Sequence, residues 1–335
     1  MVNNHIHTSY SFSPYSPSAA VFAARAEGLA TCGIVDHDSI GGAEEFLEAG
    51  KIVGIPTTIG IETRVSFAET AFCDRRTNNP DQIGNSYMVL HAVPHANIET
   101  VQAHFAPLRE KRNARNKKMV ARINERYATD GVSLDFERDV LPLSQFADGG
   151  SVTERHLMLA LARQLISFGK ASLPKHASEL EIMLAEYDLV GTLKKDCIPN
   201  VFIPATDECP GLSEMVRFAK EVNGILAYAY LGDVTSSVTG DKKAQKFEDD
   251  YLDELFEAIY QAGIRAVTYK PTRNTQAQIE RLRKLCEHYG MLQISGEDIN
   301  SPRQKFVIEK MKEEQFSNLI DNTWRLIRHE NGERE

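Results

Sequence analysis

The first sixty residues switch repeatedly between two hydrophobic periods, and that alternation narrows the fold more than any other feature. HIHTSYSFSPYSP (5–17) gives way to SAAVFAARAEGLA, an Ala-rich helical stretch closed by Gly28. TCGIVDHDS then reads as a short buried strand ending in polar residues. Residues 41–53 have helical spacing, and IPTTIGIETRV is β-branched and bounded by Gly54 and Pro56. Strand, helix, strand, helix, strand predicts a parallel sheet or barrel, in which chemistry sits at the C-terminal ends of the strands. The polar clusters HIH, DHD and IET fall at such ends.

From about residue 96 to 222 the rhythm changes. Residues 99–127 form a long charged helix candidate, and 153–167 and 176–187 are helical with few strand signals between them. Afterwards GILAYAYLG, IRAVTY and MLQISGED read as strands, with helices at 249–262, 274–289 and 305–328. The run KKAQKFEDDYLDELFE (242–257) reads as a charged amphipathic helix. The division is therefore a barrel from 1–95 and 223–335 with a helical insertion subdomain at 96–222, reasonable for 335 residues at about 150 per domain.

Composition excludes several classes. The net charge of −9 gives no general basic field, so extended nucleic acid is not an expected partner and any nucleotide must be met by a local site. No apolar run approaches the roughly 20 residues that span a bilayer, and MVNNHIHTSYSF has no signal-peptide pattern. Five scattered cysteines, never spaced as CxxC, read as reduced thiols. A soluble cytoplasmic protein with no membrane partner is expected. Neither a P-loop, a GxSxG elbow nor a GxGxxG after a strand is present.

His5 and His7 flank Ile6, and on a strand residues i and i+2 point to one side. Both imidazoles can therefore reach one ion. Asp36-His37-Asp38, Glu62 and Glu297-Asp298 offer further ligands at three other strand ends. Imidazole and carboxylate donors suit Zn, Mn or Fe, and the lack of thiolates argues against a purely structural zinc site. The plainer alternative is ordinary strand-end polarity, which would have to coincide four times.

In order, HIHTSYSFSPYSP, GIVDHDSIGGAEEF, GIE and ISGEDIN resemble the four motifs of the PHP (polymerase and histidinol phosphatase) superfamily, HxHTxxSDG, TDHDT, GxE and GSDxH. REKRNARNKKMVARIN and VTERHLMLALARQLI resemble the insertion of its nucleotide-phosphatase and exoribonuclease branch. The resemblance implies a distorted (β/α)7 TIM-like barrel with an inserted, mostly helical subdomain, a metal cluster at the mouth, and phosphate-ester hydrolysis by a metal-bound hydroxide. It implies that His5, His7, Glu62 and Asp298 hold a first ion, that Glu62 bridges to a second, and that His37 and His91 are further ligands. Met88 competes with His91 for the register. Phe12, Asn300 and Tyr230 stand where the family has Asp, His and the histidine of AHPG. The expected complement is one or two divalent ions (Mn, Fe or Zn), three at most. Asp38, Asp233 and Glu297 are carboxylates available to substitute, or else helix caps and loop charges.

A phosphate ester also needs fixed positive charge. Arg112 and Arg115 share a helix face with Met119. The resemblance adds Arg155 and His156, giving four candidate substrate-binding residues, against the alternative of a solvated basic helix. The loop CDRRTNNPDQ (73–82) is a second candidate pocket, and Lys270 and Arg273 a third. Asp36 or His37 is expected to orient the water or the leaving group. The leading expectation is a metal-dependent phosphoesterase acting on a small phosphorylated metabolite, a nucleotide or a short oligonucleotide. Its rivals are a decayed barrel that binds or regulates through a nucleotide, and an amidohydrolase acting on C–N bonds.

Overall fold

β1 (Val2–Ile6), β2 (Thr31–His37), β3 (Thr57–Ser66), β4 (Asn85–His91), β5 (Ile225–Ala229), β6 (Ala266–Tyr269) and β7 (Leu292–Ser295) lie side by side in chain order. The molecule is described by a computed structural model covering residues 1–174, 176–234 and 245–333. The sheet curls until its two edges meet. His7 N–H donates to the Ile299 carbonyl at 2.9 Å, and Ile299 N–H to the His5 carbonyl at 3.1 Å. A nearly closed, TIM-like α/β barrel results.

Neighbouring strands are parallel except at β4, which is antiparallel to both β3 and β5. An all-parallel sheet, as the early alternation suggests, would need a crossover helix between β3 and β4. Residues 67–84 contain none, so the chain turns back and β4 runs downward. The close approach shows at Gly60, where a Cβ would stand 2.3 Å from the Leu90 carbonyl oxygen. β4 thereby places His91 opposite Gly60.

The helices are α1 (Pro17–Ala26), α2 (Ala43–Val53), α3 (Ile98–Arg126), α4 (Glu154–Ser167), α5 (Glu179–Asp196), α6 (Ile198–Val201), α7 (Leu212–Glu221), α8 (Leu252–Ala262), α9 (Gln276–Tyr289) and α10 (Ser317–Glu330). Two large apolar clusters organise them. One fills the barrel and its helical coat, and includes Val101, Phe105 and Leu108 of α3 and Leu212 and Met215 of α7. The other joins Met119, Val120 and Ile123 of the same α3 to α4, Val190 and Leu193 of α5, and Phe12. α3 therefore threads both cores.

The 242–257 run differs from the expected helix. Lys242, Lys243 and Ala244 lie outside the described residues, and the α-helix begins only at Leu252, after a 3-10 turn at Asp249–Tyr251. Glu248 is buried and accepts the backbone N–H of Leu231 at 2.8 Å. Its carboxylate thus serves the β5 loop and not a solvated helix face. No helix among the described residues is long and apolar enough to cross a membrane.

Candidate metal centre

β1, β2 and β3 bring four polar side chains into one buried cluster. Glu62 Oε1 lies 3.5 Å from His5 Nε2, and its Oε2 lies 3.6 Å from His7 Nε2 and 3.1 Å from His37 Nδ1. Asp298, just beyond β7, places Oδ1 3.5 Å from His7 Nε2. Ligand atoms of His5, His7 and Glu62 all fall within 4.8 Å of one another. The side chains of His5, His7 and Glu62 are under 10 % exposed, whereas those of His37 and Asp298 are each 26 % exposed. Access therefore lies on the His37–Asp298 side.

Burial sets the charge states. It lowers the His7 imidazole and pushes His37 and His91 down to about 3, so the rings are neutral and offer lone pairs at neutral pH. Burial alone would raise Glu62, yet His5 and His37 beside it draw the carboxyl down to about 2. Asp298 is likewise held well below the carboxylate range against its burial, chiefly by Lys270 and then His7.

His5 Nδ1, His7 Nε2 and His91 Nε2 are buried with no hydrogen-bond partner. Burying such atoms unpaired costs about 1–3 kcal/mol each, which an ion accepting their lone pairs would offset. Nitrogen and oxygen donors at this spacing fit Zn, Mn or Fe. His91, and not Met88, is the β4 residue close enough to His5 and Glu62 to feel their charge. Met88 packs in the barrel core.

Asp36 faces the loop after β1. Its Oδ1 accepts from Thr8 N–H and Ser11 Oγ–H, both at 2.6 Å, and its Oδ2 from Thr8 Oγ–H at 2.5 Å. Since Ser11 spends its one proton on Asp36, it can only accept from His7 Nδ1, 3.3 Å away. That fixes the proton on Nδ1 and leaves Nε2 as the lone-pair donor. Ser11→Ala is expected to weaken metal binding about 10- to 100-fold; an unchanged dissociation constant in a Mn titration would break this link.

The arginines meet carboxylates. Arg112 pairs with Asp38 and with Glu154 at 2.9 Å. Arg115 reaches Glu154 at 2.6 Å and Glu208 at 2.8 Å. Arg64, two residues past Glu62 on β3, pairs with the same two glutamates at 3.2 and 3.1 Å. Three guanidinium groups thus face three carboxylates in a buried network. Arg112 and Arg115 are therefore buried among carboxylates, and the solvated basic helix face is not what forms. His156 is turned into a capping box, where its Nδ1 accepts Thr153 N–H at 2.9 Å, and its ring packs on Phe12. Arg155 differs: it is only partly buried and has no ion-pair or hydrogen-bond partner among the described residues, lying 6.0 Å from the Phe12 ring centroid.

The substituted motif positions have taken other work. Phe12 joins the helical core. Tyr230 donates to Asp249 at 2.6 Å and so is not a ligand. Asn300 donates its amide N–H to Asp298 Oδ1 at 2.6 Å. Asp38, Asp233 and Glu297 are occupied as well, by Arg112 and Thr63, by Phe247 N–H, and by Thr272. In the 73–82 loop Arg75 pairs with Glu254, while Arg76 donates to the carbonyls of Asn79 and Pro80, so that loop is held by its own contacts. Arg273 donates to Leu231 and Gly232 carbonyls, and His95 pairs with Glu330 away from the cluster.

Sequence reasoning missed Ser11, Glu154, Glu208, Arg64 and Lys194. Lys194 on α5 is lowered by burial and feels Asp81, Arg155, Glu154 and Asp298. α5 itself is tied to the barrel's upper loops, by Arg303 Nε to Asp188 at 2.7 Å and by Tyr187 against Phe12. Ser11 stands at the serine of the HxHTxxSDG pattern, four residues after His7; no local pattern marks the other four, because each acts through a partner distant in sequence.

Comparison with known proteins bears on the whole barrel. A candidate metal-dependent phosphoesterase from Bifidobacterium adolescentis superimposes with a TM-score of 0.65 at 19% identity, covering 98% of this chain and 96% of that one. An amidohydrolase from Chromobacterium violaceum, with bound sulfate and no metal, superimposes with a TM-score of 0.64 at 17% identity, covering 91% and 89%. At such identities the likeness speaks for the fold. No curated protein matches the sequence. The family model for the PHP domain matches residues 3–132, the stretch that holds His5, His7, Asp36, His37, Glu62 and His91.

Proposed function

We propose that the protein is a metal-dependent phosphoesterase for a small phosphorylated substrate: a metabolite, a nucleotide or a short oligonucleotide. The observation that carries this reading is the buried His5–His7–Glu62 cluster with its unpartnered imidazole nitrogens. His5, His7, Glu62 and Asp298 would hold one ion, and His37 and His91 would join Glu62 around a second. Divalent ions bound there would polarise a phosphoryl oxygen and make a water acidic near neutral pH. Asp36 works through Ser11, keeping the His7 proton on Nδ1. His37, neutral and on the open side, orients the attacking water or the leaving group.

Arg155, in the first turn of α4, is the cation assigned to the substrate's anionic group, with Lys194 beside it. Arg112 and Arg115 support that platform by holding Glu154, the neighbour of Arg155, and His156 supports it by capping α4. The experiment is phosphate release from nucleoside mono- and bisphosphates, short oligonucleotides and sugar phosphates, with protein loaded in turn with Mn, Fe and Zn. Release from at least one class, lost on chelation, is expected, and Arg155→Ala should raise KM about tenfold or more, as loss of a charged contact does. Folded, metal-loaded protein that releases no phosphate would sink the reading. It would favour a nucleotide-binding or regulatory barrel, which the reassigned Phe12, Tyr230 and Asn300 would also suit.

A further inference from the structure

Asp298 carries more than one partner. Its Oδ1 faces His7 Nε2 at 3.5 Å and accepts the Asn300 amide at 2.6 Å. Its Oδ2 accepts the ammonium of Lys270 at 2.9 Å. Lys270 directly follows β6, and its side chain is 25 % exposed, like that of Asp298 at 26 %. The turn it begins is fixed. Thr272 donates N–H and Oγ–H to Glu297 at 2.6 and 2.8 Å, and the Lys270 carbonyl accepts Arg273 N–H at 3.1 Å. Lys270 is therefore held at the rim of the cluster by its backbone as well as by its charge.

Resting on the metal-centre reading above, we infer that Lys270 is a resident cation of that centre, which occupies Asp298 Oδ2 and limits how many divalent ions the cluster takes up and how tightly. A further observation agrees. Asn300 presents an N–H to Asp298, and an N–H cannot ligate a cation. Around Asp298 the chain thus supplies a fixed single positive charge and a donor N–H. A divalent ion approaching Oδ1 is opposed by the ammonium on the same carboxylate, a repulsion that falls only as the inverse of distance.

The test is titration of the full chain, stripped of metal, with Mn alone, monitored by calorimetry and by counting bound metal with mass spectrometry. The wild type is compared with Lys270→Gln, which keeps a polar stem without charge, and Lys270→Arg, which keeps the charge. Lys270→Gln should bind its weakest Mn at least about tenfold tighter, or take up one more equivalent. Lys270→Arg should behave as the wild type, which should bind no more than two. Unchanged or weaker binding by folded Lys270→Gln, or a third equivalent in the wild type, would overturn the inference. The wild-type count decides the matter even if the glutamine variant does not fold. A folded wild type that binds no Mn would instead overturn the metal centre itself, and this inference with it.

Discussion

Glu62→Ala is expected to strip the protein of tightly bound metal and to lower phosphate release by at least about a thousandfold, more than the 10- to 100-fold typical of a supporting residue. Among the described residues, Glu62 is the one side chain that faces three imidazoles, of His5, His7 and His37, at 3.1–3.6 Å. The imidazoles of His7 and His37 are neutral when buried and bring no charge to a divalent ion. The negative charge must come from Glu62 and Asp298, and Asp298 already shares its own with Lys270. Removing Glu62 therefore removes the larger part of the attraction as well as a ligand. Metal content by mass spectrometry and turnover on the best substrate check this together. A variant with normal metal content and normal turnover would exclude Glu62 from the centre.

The second large effect is on stability. Glu154→Ala should destabilise the fold by about 3–5 kcal/mol, the usual result of breaking a buried ion pair by deleting one partner. Glu154 is shared by Arg64, Arg112 and Arg115, and its loss leaves three buried guanidinium groups with too few carboxylates. The network holds Glu154 well below the carboxylate range against its burial, chiefly through Arg64, then Arg112 and Arg115. Truncating Glu48, whose exposed pair with Lys51 spans 3.3 Å, should cost less than about 1 kcal/mol. Denaturant unfolding of both variants provides the comparison, and equal small losses would mean that water compensates the network.

How far the sequence could be read depended on where the information was stored. The donors at His5 and His7 were legible because a strand's period of two is local, and His37 because it closes a short apolar run at the end of β2; Glu62 follows such a run too, but β3 continues past it to Ser66. The same periods left a parallel sheet or a barrel, and the resemblance of the four motifs pointed to the barrel. The direction of β4 was not legible, because it depends on residues 67–84 lacking a helix, and a polar loop and a poor helix look alike in composition. The burial of Arg112 and Arg115 had a trace in Met119, which Arg115 approaches to 3.2 Å. Their partners had none: Glu154 and Glu208 lie 39 and 93 residues beyond Arg115, and no period links such distances. The capping use of His156 was hidden for a related reason, since histidine is not among the usual residues of a capping box.

The downward course of β4 dictates the length of the helix after it. β4 delivers the chain to the end of the barrel where His95 meets Glu330, and Glu330 in turn accepts Thr58 and Ile59 at the start of β3. α4, which carries Arg155, stands at the opposite rim, where its Glu154 meets Arg112. α3 makes the climb: from Ile98 to Arg112, which meets Asp38 beyond the tip of β2, it rises about 21 Å at about 1.5 Å per residue. Each residue also turns the helix by about 100°. The height of the barrel and the facing of the rim arginines are thus two readings of one count of residues, and a helix shorter by one would present a different face to Asp38.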